Sequence, residues 1–294
     1  MDNPISLITE LFDLPGASQG RQISAAREKE GRDAKESEAL GKECMSDGDY
    51  DGAIVHFRRA MEQGGTTTAE SLLNLGAAYE AGDYMPAAYR QYQLARKVQD
   101  SGELHAGLGA IYLRFGRVKE GIKQLEESIE MEPENAFYRF KLAEALRESG
   151  HRTAALAAVQ TAVATQPDEA FYHFWMGDLL LEMQRYEEAA TALQASLELS
   201  PGDDHTLCLA SIALWGNGKR PEAIRAIRLA SDLDQDKMLY PALLVRYLLA
   251  EGMPDEAELE RKRASKADRY DLDLIERLVA KAKIDLPADT IPEE

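Results

Sequence analysis

Cysteine is scarce: Cys44 and Cys208 are the only two in 294 residues. That excludes a disulfide framework and points to a reducing compartment. Basic residues are outnumbered, 34 Lys and Arg against 52 Asp and Glu, for a formal net charge of −18. A surface for nucleic acid or anionic lipid needs clustered Lys and Arg, so neither partner is expected. No apolar run reaches the roughly 18 residues that a membrane helix requires. The first residues, MDNPISLITELFDLPG, carry Asp2 and no basic stretch, and Thr9, Glu10 and Asp13 break their apolar pattern. No small-residue cleavage site follows, so no secretory signal is expected and a cytoplasmic location is. With 45% apolar residues, disorder as the main state is excluded.

What is present is repetition. AFYRFKLAEAL at 136–146 returns as AFYHFWMGDLL at 170–180, offset by 34. At that interval a small residue stands at Ala53, Ala88, Gly121, Ala155, Ala189, Ala223 and Ala257, with spacings of 35, 33, 34, 34, 34 and 34. A parallel series, Gly41, Gly76, Gly109, Ala143, Gly177, Ser211 and Val245, lies twelve residues earlier. Within a repeat, Leu108, Ile111, Tyr112 and Phe115 form one amphipathic helical stripe, and Ile122, Leu125 and Ile129 form a second. Glycines at 48, 82, 116, 150, 218 and 252 separate the two stripes, where a left-handed residue ends a helix. Pro133, Pro167 and Pro201 stop the second helix. The small residues allow two antiparallel helices to cross closely, and one such pair must stack on its neighbours to bury both stripes.

These features resemble the tetratricopeptide repeat family. Leu75-Gly76-x2-Tyr79 and Leu108-Gly109-x2-Tyr112 match the first part of its pattern, and Ala53-x3-Phe57-x2-Ala60 the second. The turns Gly48-Asp49-Tyr50 and Gly82-Asp83-Tyr84 agree with it as well. The family's tryptophan near the start of the repeat is absent, and either Ala87 or Ala88 suits the crossing in repeat two. The resemblance implies an all-α fold, a right-handed superhelical solenoid of about seven helix-turn-helix repeats over residues 34–267. The seventh repeat is degenerate, with Val245 and Arg261 at core positions. Residues 268–284 are expected as a capping helix, apolar at Leu274 and Leu278, and 285–294 as a loose tail. Residues 1–33 form an arm with an apolar stripe at Ile5, Ile8, Leu11 and Phe12. It either docks in a groove, its own or a second copy's, or caps repeat one.

Catalytic and metal motifs give way to plainer explanations. Asp47-Gly48-Asp49-Tyr50-Asp51-Gly52 imitates half of a calcium loop, but Arg58 stands where the bidentate Glu belongs, and the segment coincides with a repeat turn. His205 and Cys208 are one helical turn apart, yet two ligands do not close a zinc site. HExxH, CxxC, GxSxG and Walker patterns are all missing. No cofactor and no enzyme activity are expected.

In the family, the first helix of each repeat lines a concave face that takes ligands. The resemblance places Phe137, Phe140 and Arg147 of repeat four there, then Phe171, Phe174 and Asp178 of repeat five, and His205, Ile212 and Trp215 of repeat six, with Trp175 beside them. The alternative is that such rings interlock between repeats. The carboxylate clamp known in the family is rejected, since only Asn74 fits it while Glu70 and Glu103 would repel an acidic ligand. The expected function is a non-catalytic scaffold whose apolar, acidic-rimmed groove binds a peptide or amphipathic helix. Alternatives are a chaperone or assembly factor for secreted or membrane subunits, or a regulatory subunit of an enzyme complex.

Overall fold

The computed structural model describes residues 33–64, 68–264 and 269–286. The arm expected over 1–33, apart from its last residue, and the tail beyond residue 286 lie outside the described residues. Fifteen helices and no strand occur among the described residues. They divide into an N-terminal unit ending at Met131 and a C-terminal unit starting at Glu132.

The N-terminal unit holds three helix pairs: α1 (33–47) with α2 (Tyr50–Gly64), α3 (Ala69–Ala81) with α4 (Met85–Val98), and α5 (Gly102–Arg114) with α6 (Val118–Met131). Each pair is close because its crossing residues are small. A Cβ on Gly121 would fall 3.0 Å from the carbonyl oxygen of Gly109, and one on Gly109 would fall 3.2 Å from that of Gly121. At Gly41 and Gly76 the added atom would strike the rings of Phe57 and Tyr92, the large residue four positions after the second helix's small one. Tyr92 is buried, and its hydroxyl donates to Glu80 Oε2 at 2.8 Å, which satisfies the one polar atom it takes inside. His105 is also buried, with Nε2 2.9 Å from Asp100 Oδ1 and Nδ1 3.0 Å from Gln124 Oε1.

The C-terminal unit continues with four pairs: α7 (Ala136–Glu148) with α8 (Arg152–Thr165), α9 (Ala170–Glu182) with α10 (Tyr186–Leu199), α11 (Asp204–Gly216) with α12 (Arg220–Leu233), and α13 (Leu239–Ala250) with α14 (Pro254–Ala264). The helices α7, α9 and α11 start under side-chain caps, Asn135 accepting from Phe137 N–H, Glu169 from Phe171 N–H and Asp203 from Thr206 N–H. The spacing predicts left-handed residues between the helices, and Gly48, Gly116, Gly150, Gly218 and Gly252 adopt them. Repeat two differs: Gly82 has φ −78°, and Asp83, at φ 63°, makes the turn instead. The extra residue responsible is the one that stretches the interval from Ala53 to Ala88 to 35, and Ala88 is the buried crossing residue.

The last described helix, α15 (Arg269–Ala282), covers repeat seven and reaches beyond it. It does not extend the stack as a further first helix would. Its contacts are with α9, α11 and α13, so it folds back across the first helices of repeats five, six and seven. The stripe it buries is Ile275, Val279 and Ala282, with Leu274 and Leu278 only half-buried at its edge. After Lys283, at φ 51°, the chain turns and buries Ile284 and Leu286. In repeat seven the first helix is therefore covered, while on the second, α14, Ala257 is the one buried residue among those described. Every residue of α13 from Leu239 to Leu248 is buried, because α12, α14 and α15 cover it from different sides.

Candidate functional site

The side of the C-terminal unit formed by α7, α9, α11 and α13 is built from positions that recur every 34 residues, and they change character along it. At the N-terminal ends of α7 and α9 stand Phe137 and Phe171, 49% and 44% exposed. Phe140 lies between them at 5% exposure, its centroid 6.2 Å from that of Phe137 and 4.8 Å from that of Phe171. Trp175 meets Phe140 edge-on at 5.1 Å. Phe174 is half-buried against the exposed His205 ring, with centroids 5.6 Å apart. Such offset and edge-on pairs are the arrangement aromatic quadrupoles favour. Beside these rings is a hollow of about 340 Å³ lined by Ala170, Phe171, Phe174, Ser196, Ser200, Asp203 and His205. Lys141 Nζ sits 5.5 Å from the centroids of both Phe137 and Phe140.

Toward the C-terminal ends of the same helices the surface is closed. Ile212 and Trp215, expected in the groove, are buried there, and so is Asp178; Phe140, also expected in the groove, is buried among the rings at the N-terminal ends. Phe140 serves as the hub of the aromatic cluster. Trp215 stacks flat on Tyr247 of the next repeat, 4.2 Å between centroids and 4° between planes, with the Arg220 guanidinium on its ring at 4.7 Å. These rings interlock neighbouring repeats, the alternative open from the sequence.

Asp178 and Glu182, one turn apart on α9, share three cations. Arg147 Nη2 reaches Asp178 Oδ2 at 2.7 Å and also bonds Glu182, while its guanidinium lies 4.9 Å from the Trp175 ring. Arg152 Nε is 3.4 Å from Glu182 Oε2. Lys281 of α15 places Nζ 2.5 Å from Asp178 Oδ1 and 3.5 Å from Glu182 Oε1. Burial works against the charge of Glu182, but the hydrogen bond and charge of Arg147, with the charge of Lys281, outweigh it and hold the carboxyl below its ordinary range. Burial likewise disfavours the Arg147 cation, and Glu182 and Asp178 reverse that, so its pKa is raised. Arg246 on α13 is buried too, bonded to Glu276 of α15 at 2.8 Å and to the Leu286 carbonyl at 3.4 Å. Glu182, Arg246, Glu276 and Lys281 are functional candidates that spacing did not reveal. Arg246 carried a signal, as the lone charge in LYPALLVRYLLA.

Little here suits covalent or metal chemistry. Burial and the Asp204 charge push the Cys208 thiol up to about 12, which leaves it protonated at neutral pH. Cys208 is buried while His205 is exposed, so the two do not converge. Asp49 Oδ1 accepts from the Gly52 N–H at 3.0 Å and Asp51 Oδ1 from the Tyr84 hydroxyl at 3.0 Å, so the acidic turn of repeat one is tied into the helix start. Among the described residues no group of three or more His, Cys, Asp or Glu is arranged to hold a metal. None of their helices is long and apolar enough to cross a membrane.

Tetratricopeptide repeat family profiles match residues 102–135 and 140–204. No curated protein matches in sequence. Among solved structures, the C-terminal part of a TPR repeat-containing protein from Cytophaga hutchinsonii has a TM-score of 0.64 at 12% identity, covering 79% of this chain and 97% of its own. MamA from residue 41 onward, from Desulfovibrio magneticus RS-1, has 0.53 at 21% identity, over 61% of this chain and 97% of its own. YrrB, described as a TPR protein with an unusual peptide-binding site, has 0.51 at 21% identity, over 67% and 97%. At these identities the likeness is one of fold. Residues 102–135 and 140–204 thus match tetratricopeptide repeats in sequence, and the paired helices and left-handed turns of the other described pairs follow the same plan.

Proposed function

We propose that the protein is a non-catalytic scaffold that binds a peptide or amphipathic helix on the inner side of α7, α9 and α11. The observation that carries this is the pair of half-exposed rings, Phe137 and Phe171, joined through Phe140 and opening onto the hollow beside Phe174 and His205. Each Phe offers roughly 150–250 Å² of burial, and water contact over two of them is worth removing. Asp203 on the wall of the hollow gives that end of the patch an acidic side, while at the other end Glu144 is paired with Lys141. The complementary ligand is an apolar side chain flanked by Lys or Arg. YrrB shares the fold and has a peptide-binding site, which supports peptide recognition as the mode. The scarcity of cysteine supports a reducing, cytoplasmic setting.

Panning a display library of 18-residue segments on the full chain tests this. Enriched segments should share an apolar anchor with basic flanks, and Phe137→Ser with Phe171→Ser should lose the enrichment while the helical circular dichroism is retained. Equal enrichment on the double variant would remove the patch from the account. The enriched segments also separate the possible roles: exported or membrane subunits make the scaffold an assembly factor, and a cytoplasmic enzyme makes it a regulatory subunit.

A further inference from the structure

The helix α15 lies on the same side of the C-terminal unit as the aromatic patch, and the way it is held specifies what else would fit there. It is anchored on one face only. Ile275, Val279 and Ala282 are buried at i, i+4 and i+7, while Asp273, Glu276, Arg277, Ala280 and Lys283 are exposed. Two ion pairs of opposite polarity fix its direction: Glu276 meets Arg246 on α13, and Lys281 meets Asp178 on α9. Reversed, the helix would set Lys281 by Arg246 and Glu276 by Asp178 and Glu182, both repulsive. The Tyr186 hydroxyl donates to the Ala282 carbonyl at 2.7 Å and holds the helix end against α10.

The floor beneath α15 carries charges that α15 covers. With α15 seated, the side chains of Asp178 and Glu182 are 12% and 15% exposed, and that of Arg246 only 6%. Charges enclosed by an occupant must be matched by it, as Lys281 and Glu276 match these. Among the described residues the outer face of α15 is exposed, and a helix held by one face belongs to the part of a fold that opens first. Anything that displaces it must supply a cation at the α9 end, an anion at the α13 end, and apolar side chains between.

Resting on the reading above that this side of the unit takes peptide helices, we infer that α15 is a resident occupant of the stretch formed by α9, α11 and α13, next to the aromatic patch, and that this stretch takes a partner amphipathic helix of the same pattern which competes with it. The pattern is apolar-acid-x-x-apolar-x-Lys-small, as in Ile275-Glu276-x-x-Val279-x-Lys281-Ala282. Asp178 and Glu182 select the basic residue, and Arg246 selects the acid that precedes it by five. The full chain is therefore self-blocked, and its affinity for a partner is reduced by the fraction of time α15 is seated.

The test uses a fluorescein-labelled peptide of residues 269–286 and the full chain. Lys281→Glu in the chain sets a like charge against Asp178 and Glu182 and unseats α15, so it should capture the wild-type peptide at least tenfold more tightly than the wild-type chain does, by anisotropy. A peptide carrying Lys281→Glu should not be captured. Lys281→Gln in the chain gives a milder release if the reversed charge disturbs folding. Amide exchange on the unmodified chain should show 273–286 exchanging well before α11. Equal peptide affinity for wild-type and both variants, or exchange of α15 only together with α11, would overturn the inference and make α15 a fixed part of the fold. The panning result at Phe137 and Phe171 stands or falls separately, since those residues lie outside the contacts of α15.

Discussion

Lys281 and Asp178, 103 residues apart in sequence, meet with Nζ 2.5 Å from Oδ1. Through that contact the last helix of the chain completes a charge cluster begun by Arg147, Asp178 and Glu182 on α7 and α9. The cluster is only partly open to water, so its members are worth more than an ordinary surface pair. Arg147→Met removes one of the two cations both carboxylates share and leaves Lys281 as the other. We expect a loss of about 2 kcal/mol, against about 0.5 kcal/mol or less for Arg225→Met, which breaks the exposed pair with Glu222 in the same unit. Both tryptophans, Trp175 and Trp215, lie in the C-terminal unit, so urea unfolding followed by tryptophan fluorescence reads that unit directly. Equal effects of the two substitutions would show that the cluster is as screened as a surface pair.

The same cluster makes stability depend on pH with a definite sign. The folded-state pKa of Glu182 lies below its unfolded value, so the unfolded chain binds the proton more readily. Its contribution is complete above the unfolded carboxyl range, near pH ~4.3, and is lost as pH falls through the folded value. Thermal unfolding read by tryptophan fluorescence should show the loss on acidification. Glu182→Gln should be less stable at neutral pH and show a shallower acid slope. A slope unchanged by the substitution would place the acid sensitivity elsewhere.

Repeat five turns on Gln184, at φ 60°, where repeats four and six use Gly150 and Gly218. A side chain in the left-handed region costs roughly 1 kcal/mol. Gln184→Gly should therefore raise the stability of the C-terminal unit by up to about 1 kcal/mol, and Gly150→Ala should lower it by a similar amount. Chemical denaturation midpoints of the two variants, with opposite shifts, check this.

Cys208 is buried with its thiol pushed up to about 12, whereas Cys44 is only half-buried. Iodoacetamide should modify Cys44 in the native chain and reach Cys208 only in denaturant, as read by peptide mass spectrometry. Rapid native labelling of Cys208 would contradict its place in the core.

The repeat was legible because steric exclusion writes itself into sequence. Where two backbones touch, as at Gly109 and Gly121, only small residues survive, and they return at the interval of the fold. The same interval carries the anomaly at Ala88, where 35 residues replace 34 and Asp83 takes over the turn from Gly82. The inner surface was harder to read. Apolar residues that line a groove and apolar residues that lock repeats together have the same chemistry, so Phe137 and Phe171 were not separable from Phe140, Ile212 and Trp215 by type. The amphipathic pattern of α15 says that one face is buried but not against what. It lies across α9, α11 and α13, where its apolar stripe is buried and Asp178 and Arg246 meet its charges in the matching order.

The most direct test of the inner aromatic patch as the interaction surface is photocrosslinking from within the full chain. Benzoylphenylalanine in place of Phe171 should crosslink to one segment of the partner, identified by mass spectrometry. The same group in place of Leu229, half-exposed on the second helix α12, should not. Crosslinks to the partner from position 229 and none from position 171 would place recognition on another surface and contradict the account.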